Sequence, residues 1–164
     1  MLKTKLLKAL VLSTVCVFMI QGASSASAGE DVDSIIKEGH FFGEMRYRYE
    51  YVDQNNLAND AKASTVRTNL GFKTGVYKDF QALFEGQIVQ NIGANDFNDT
   101  TNGKATYPIV SDPDVAEINE LWLSWAGLPQ TSIAIGRQKM NLDNQRFIGT
   151  VDWRQNDQTF DALQ

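Results

Sequence analysis

Residues Phe41–Tyr51 read F-F-G-E-M-R-Y-R-Y-E-Y. A strand sends alternate side chains to opposite faces. Phe41, Met45, Tyr47, Tyr49 and Tyr51 take the odd positions with Gly43, whereas Glu44, Arg46, Arg48 and Glu50 take four consecutive even ones. One face is therefore aromatic and apolar and the other densely charged. That contrast is expected where a strand separates lipid from a wet lumen.

The pattern recurs along the chain. Strands are predicted over about 40–52, 64–77, 80–91, 115–126 and 131–139, and Phe160–Leu163 opens a sixth. Leu70, Phe72, Phe84, Leu121, Leu123 and Trp125 join Met45, Tyr47 and Tyr49 on the lipid-facing side. Arg67, Lys73 and Glu85 join Glu44, Arg46, Arg48 and Glu50 on the lumen wall. Arg137 falls in the outward phase at a strand end. Tight turns at Lys78-Asp79 and Gly127–Gln130 alternate with polar segments over 53–63, 92–114 and 140–159. Short turns on one side and long loops on the other are the outer-membrane pattern. The predicted fold is all-β: an antiparallel transmembrane β-barrel of outer-membrane type, present as an incomplete set of about five to six strands. Single-chain bacterial barrels need at least eight. The sequence therefore predicts the N-terminal part of a longer barrel, a truncated reading frame, or one piece of an assembly, and in each case a chain that does not seal a pore as a monomer.

The N-terminus sets the compartment. Lys3, Lys5 and Lys8 precede an apolar run, Ala9–Ile20, and Ala26-Ser27-Ala28 fits a small-residue cleavage site. Residues 1–28 read as a signal peptide rather than a membrane anchor, since the run is short for a spanning helix. Cys16, the one cysteine, leaves with it, which excludes disulfide and thiol chemistry. The mature chain holds 12 basic against 20 acidic residues, a charge of −8 without any basic run, so nucleic acid is not an expected partner. Residues 29–39 read as a periplasmic lead-in with a short helix over Asp31–Glu38, capped by Asp31 or Asp33 and stopped by Gly39. An exported chain without a long apolar helix can still span a membrane as a closed barrel. Gram-negative outer-membrane lipid is then a partner, and self-association is left open.

Three segments carry a resemblance. Ile35–Glu50 reads I-I-K-E-G-H-F-F-G-E-M-R-Y-R-Y-E, Glu117–Trp125 reads E-I-N-E-L-W-L-S-W, and Ile135–Ala162 runs from I-G-R-Q-K-M through Arg146 and Trp153-Arg154 to F-D-A. In order and spacing they resemble the alginate-export family of outer-membrane porins and related large substrate-specific porins, whose chains are longer. The resemblance implies an opening helix and first strand, a fourth strand, and a loop folding into the lumen. It also implies a channel for small hydrophilic, anionic solutes such as uronate polymers or organic acids.

A porin selects by lumen charge and constriction. If 140–159 folds inward, Arg146 and Arg154 stand near the narrowest point with Asp152 and Trp153, beside Asp143 and Asp157. Arg137 then supports the loop base or lines the pore. The wall arginines either attract anions or pair with Glu44, Glu50 and Glu85. Trp153 either stacks on a sugar face or pins the loop by packing.

Enzyme chemistry is not expected. His40 is the single histidine and has no cluster around it, and no glycine-rich phosphate loop occurs. No cofactor or metal site is predicted. Asp96, Asp99, Asp112 and Asp114 could hold a divalent cation or form a solvated acidic loop. An adhesion barrel acting through its long loops, and a soluble periplasmic β-barrel binding protein, are the competing readings.

Overall fold

The computed structural model describes residues 8–18, as backbone, and residues 33–164. The expected cleavage site at Ala26–Ala28 and the helix start at Asp31 lie outside them. The elements are β1 (Lys8–Phe18), α1 (Asp33–Lys37), β2 (His40–Asp53), β3 (Ala61–Lys73), β4 (Phe80–Asp96), β5 (Val115–Leu128), β6 (Thr131–Gln138) and β7 (Phe160–Leu163). The strands form one open sheet in the order β1 to β7, each antiparallel to the next. β2 is the expected first strand. Its edge away from β3 is occupied by β1, the apolar run read above as a leader.

Register joins the charged positions of neighbouring strands into one face. Arg46 lies opposite Arg67, Asn69 opposite Gln87, and Glu85 opposite Glu120. The other face carries the row Phe41, Phe72, Phe84 and Leu121. Burial is inverted relative to a water-soluble protein. Leu70 is 64% exposed and Leu121 50%, whereas Arg48 is 4% and Glu85 5% exposed. Met45, Phe84 and Leu123 are also open, and Tyr47, Tyr49, Phe72 and Trp125 are half-buried on the same face. Among the described residues none forms a layer over the greasy face; the charged face carries one.

The strands climb relative to one another. One hydrogen-bonded row runs Phe41, Phe72, Phe84, Leu121, Arg137, Asp161. Phe41 is the second residue of β2, yet Arg137 is the seventh of the eight in β6. With the short-turn ends taken as level, five residues of rise over four inter-strand steps give a slope of about 40°. Outer-membrane barrels have tilts in that range.

The connections follow from local chemistry. Lys78 and Asp79 both adopt left-handed φ (47° and 65°) between Tyr77 and Phe80, which exchange two 2.9 Å backbone hydrogen bonds. This is the two-residue turn whose twist suits a hairpin. The second short turn is Pro129-Gln130, because β5 continues to Leu128 and pairs it with Thr131. β3 starts at Ala61 and stops at Lys73, not at 64 and 77 as the alternation predicts. The small side chains of Ala61 and Ala63 are buried with Val52, Phe97 and Val110, a small apolar core at the long-loop end. At the other end the Gly75 N–H leaves the ladder and donates to Ile35 O (2.9 Å), tying α1 to the hairpin. β4 runs on to Asp96 instead of ending near Asn91, bending where Gly93 takes a φ of 107°.

Candidate channel-lining site

Two guanidiniums directly opposite each other, Arg46 and Arg67, would repel. The third long loop, 139–159, resolves this by lying on the charged face. Arg67 donates to Glu44 Oε1 (2.6 Å) and Asp157 Oδ1 (2.5 Å). Arg46 instead grips one stretch of loop: Nε donates to Gln155 Oε1 (2.8 Å), Nη1 to Asp152 O (2.8 Å) and Nη2 to Arg154 O. Arg48 donates to Trp153 O and to Glu50 Oε2 (2.7 Å). Three successive carbonyls, 152 to 154, are thus aimed at two wall arginines.

Gln155 is the centre of this contact. It is fully buried, and its Nε2 donates to Thr65 Oγ1 (2.9 Å), Thr65 O (3.2 Å) and Arg46 O (3.3 Å). Its backbone N–H donates to Asp112 Oδ1 (2.9 Å) in the second long loop. At the base of the third loop, Lys139 Nζ lies 3.4 Å from Glu85, 3.4 Å from Asp157 and 3.6 Å from Glu120. Glu85 also accepts from Asn119 Nδ2 (2.6 Å) and Asn69 Nδ2 (3.2 Å). Asn119 is the extra residue where the β4–β5 register shifts. Lys73 sits 5.8 Å from the Trp122 ring on the same face.

The expected constriction residues separate. Arg154 joins the buried network, with Nη1 3.3 Å from Glu50 and 3.6 Å from Asp112. Trp153 is 63% exposed, its ring 4.2 Å from the Arg154 guanidinium and 5.8 Å from that of Arg48. Its ring thus stacks on Arg154 and reaches the wall only at Arg48. Asp152 turns its side chain to Thr150 Oγ1 and is exposed. Arg146 stands at the exposed loop tip with its guanidinium 5.5 Å from the Phe147 ring. Arg137, expected at the constriction or loop base, is on the opposite, apolar side. It faces Asp161 of β7 with Nε–Oδ1 at 2.9 Å and Nη2–Oδ2 at 3.0 Å. The strand alternation already assigned it outward, and no bulge turns it back.

The wall arginines do pair with carboxylates at two of the three expected partners, Arg67 with Glu44 and Arg48 with Glu50, whereas Glu85 meets Lys139 and Arg46 hydrogen-bonds only neutral oxygens. Gln155, Asp112 and Lys139 were not singled out by sequence as loop-holding residues. The four aspartates of the second loop do not converge, and no metal-ligand cluster occurs among the described residues. Asp112 is buried rather than solvated. Asp99 caps its own turn. Burial works against its ionisation, yet the Thr101 N–H and O–H and the Asn102 N–H hold its carboxyl below the ordinary range.

An antiparallel sheet with an unsheathed apolar face and a loop seated on its charged face defines an outer-membrane porin scaffold. The sequence pattern of the family described as Alginate export matches residues 38–164, and the chain belongs to that family. It is an outer-membrane porin and export family, not an enzyme family. No curated protein and no solved structure matches the chain significantly.

Proposed function

We propose that this chain supplies wall and constriction to an outer-membrane channel for small hydrophilic, anionic solutes, uronate polymers and organic acids among them. The observation that carries the reading is the loop 139–159 seated on the charged face, which puts Trp153 and Arg154 above the wall. Around Trp153 the cations Arg46, Arg48 and Arg154 are matched by the anions Glu50, Asp112 and Asp152. On the far side Glu44, Glu85, Glu117, Glu120 and Asp157 outnumber Arg67, Lys73 and Lys139 by two, so a field crosses the lumen. An anion with a ring face can stack on Trp153 while meeting Arg154 or Arg146.

In this reading residues 1–28 are a cleaved leader and 29–39 lie in the periplasm. The bond tying α1 to the short-turn end of the sheet supports that placement. Cleavage after Ala28 removes β1 and frees the outer edge of β2 for a closing strand. The open apolar face argues against a soluble periplasmic protein, and the docked loop argues against an adhesion surface built on it. The test is Arg146→Ala with Arg154→Ala in the assembled channel in planar bilayers. Anion preference is expected to fall. Unchanged selectivity and conductance would remove the constriction assignment, and recovery of the protein from detergent-free periplasm would remove the channel.

A further inference from the structure

The constriction loop is held from two sides. Arg46 holds it from the wall; Asp112 holds it from the second long loop, and nothing in the barrel architecture alone requires that second hold. Asp112 is fully buried, with Oδ1 accepting from the Gln155 N–H (2.9 Å) and Oδ2 3.6 Å from Arg154 Nη1. Next to it, Pro113 O accepts from Asn156 Nδ2 (3.3 Å). Residues 154 to 156 are therefore bound in succession by 112 and 113, although the segments are more than 40 positions apart in sequence.

The second loop is built to bear on the third. Its base is anchored by Phe97 and Val110, both fully buried against Val52, Ala61 and Ala63. Asn98 donates to Pro108 O (3.1 Å), Val110 to Asn98 O (2.9 Å), and Asp112 to Val110 O (2.8 Å). That chain of bonds fixes the Asp112 backbone two residues from the apolar anchor. The stretch between, from Thr100 to Thr106, is largely exposed. One segment thus has an open outer surface, a rigid base and a buried carboxylate touching the constriction loop.

We propose that Asp112 is a positioning residue for the constriction: it couples the second external loop to Gln155 and Arg154 and so sets where Trp153 and Arg154 stand in the lumen. The inference rests on the channel reading. A buried carboxylate is needed because it accepts the Gln155 N–H and balances the Arg154 charge at once. An amide keeps only the first role, and an aliphatic side chain neither.

The test compares Asp112→Asn and Asp112→Leu with the wild-type assembled channel in planar bilayers, with Arg154→Gln and Asp112→Asn/Arg154→Gln completing a cycle. Asp112→Leu is expected to raise the frequency of partial-conductance excursions about tenfold or more, the effect of losing a charged buried hydrogen bond. Asp112→Asn is expected to keep excursions near the wild-type frequency while shifting ion selectivity, and its effect should vanish in the Arg154→Gln background. Additive effects in the cycle, or excursions unchanged in Asp112→Leu, would overturn the coupling while leaving the channel intact. A wild type that never conducts would instead fail the channel reading. Intact barrel assembly of each variant is checked by heat-modifiable gel mobility, so that a variant that fails to assemble is replaced by Asn156→Ala, which cuts the neighbouring contact to Pro113 and carries the same expected excursions.

Discussion

Replacing Arg46 by Met keeps the aliphatic stem on the wall and removes the guanidinium that grips residues 152 to 155. Three hydrogen bonds go. The one to Gln155 Oε1 leaves a fully buried acceptor without its donor, which costs about 1.5–3 kcal/mol. The carbonyls of Asp152 and Arg154 belong to more exposed residues and regain water, so each counts for about 0.5–1 kcal/mol. Against this, Arg67 is relieved of a like charge directly opposite, about 0.2–1 kcal/mol. The net is about 1.5–5 kcal/mol, centred near 3, or a rise on the order of a hundredfold in the undocked loop population. Limited proteolysis across 140–149 in detergent micelles reads that population, and single-channel noise reads its consequence. Lys73→Met on the same face, where the ammonium lies over the Trp122 ring of β5, serves as the control. Equal cleavage rates in Arg46→Met, Lys73→Met and wild type would refute the account of loop docking.

Gly136→Ala should disrupt the β5–β6 pairing. Its φ is 130° and a Cβ there would stand 2.2 Å from Leu121 O, so a loss of about 2–5 kcal/mol is expected in urea unfolding from lipid; an unshifted midpoint would contradict the geometry. Arg137→Leu alone strands Asp161 on the apolar face and should destabilise the sheet, whereas Arg137→Leu/Asp161→Leu should recover stability. A double variant no better than the single would place the pair outside lipid. Asp99 has a folded-state pKa below its unfolded value, so its stabilisation of loop 97–114 is complete above about pH 4 and is lost as pH falls through the lower folded value. An NMR titration of its carboxyl with a midpoint above 4 would remove that claim.

The face of each strand was legible because period-2 alternation is local. Phe41–Tyr51 alone gives the phase, and register transmits it across the sheet. Strand ends were less legible. Val76 continues the apolar alternation of β3, but the hairpin and the Gly75–Ile35 bond end the ladder at Lys73. The Asn119 irregularity left a visible trace, two adjacent polar residues breaking the alternation at Asn119-Glu120. The loop contacts left none: Arg46 and Gln155 are 109 positions apart, and an uncharged glutamine in a polar loop carries no periodic signal. Arg137 follows its strand phase, opposite Leu121 and Asp161, rather than the loop-base position that the family resemblance implies.

The slope of the sheet also explains how a charged pair is tolerated on the greasy side. Strand neighbours that share a hydrogen-bonded row do not share a depth. The row that begins at Phe41, near the short-turn rim, has risen five residues, about 17 Å, by the time it reaches Arg137 and Asp161 close to the long-loop end of β6. Phe41 and Arg137 are level in the ladder yet stand at different heights on the sheet. Height is thus written diagonally across the register, and a substitution's tolerance follows that diagonal rather than the row.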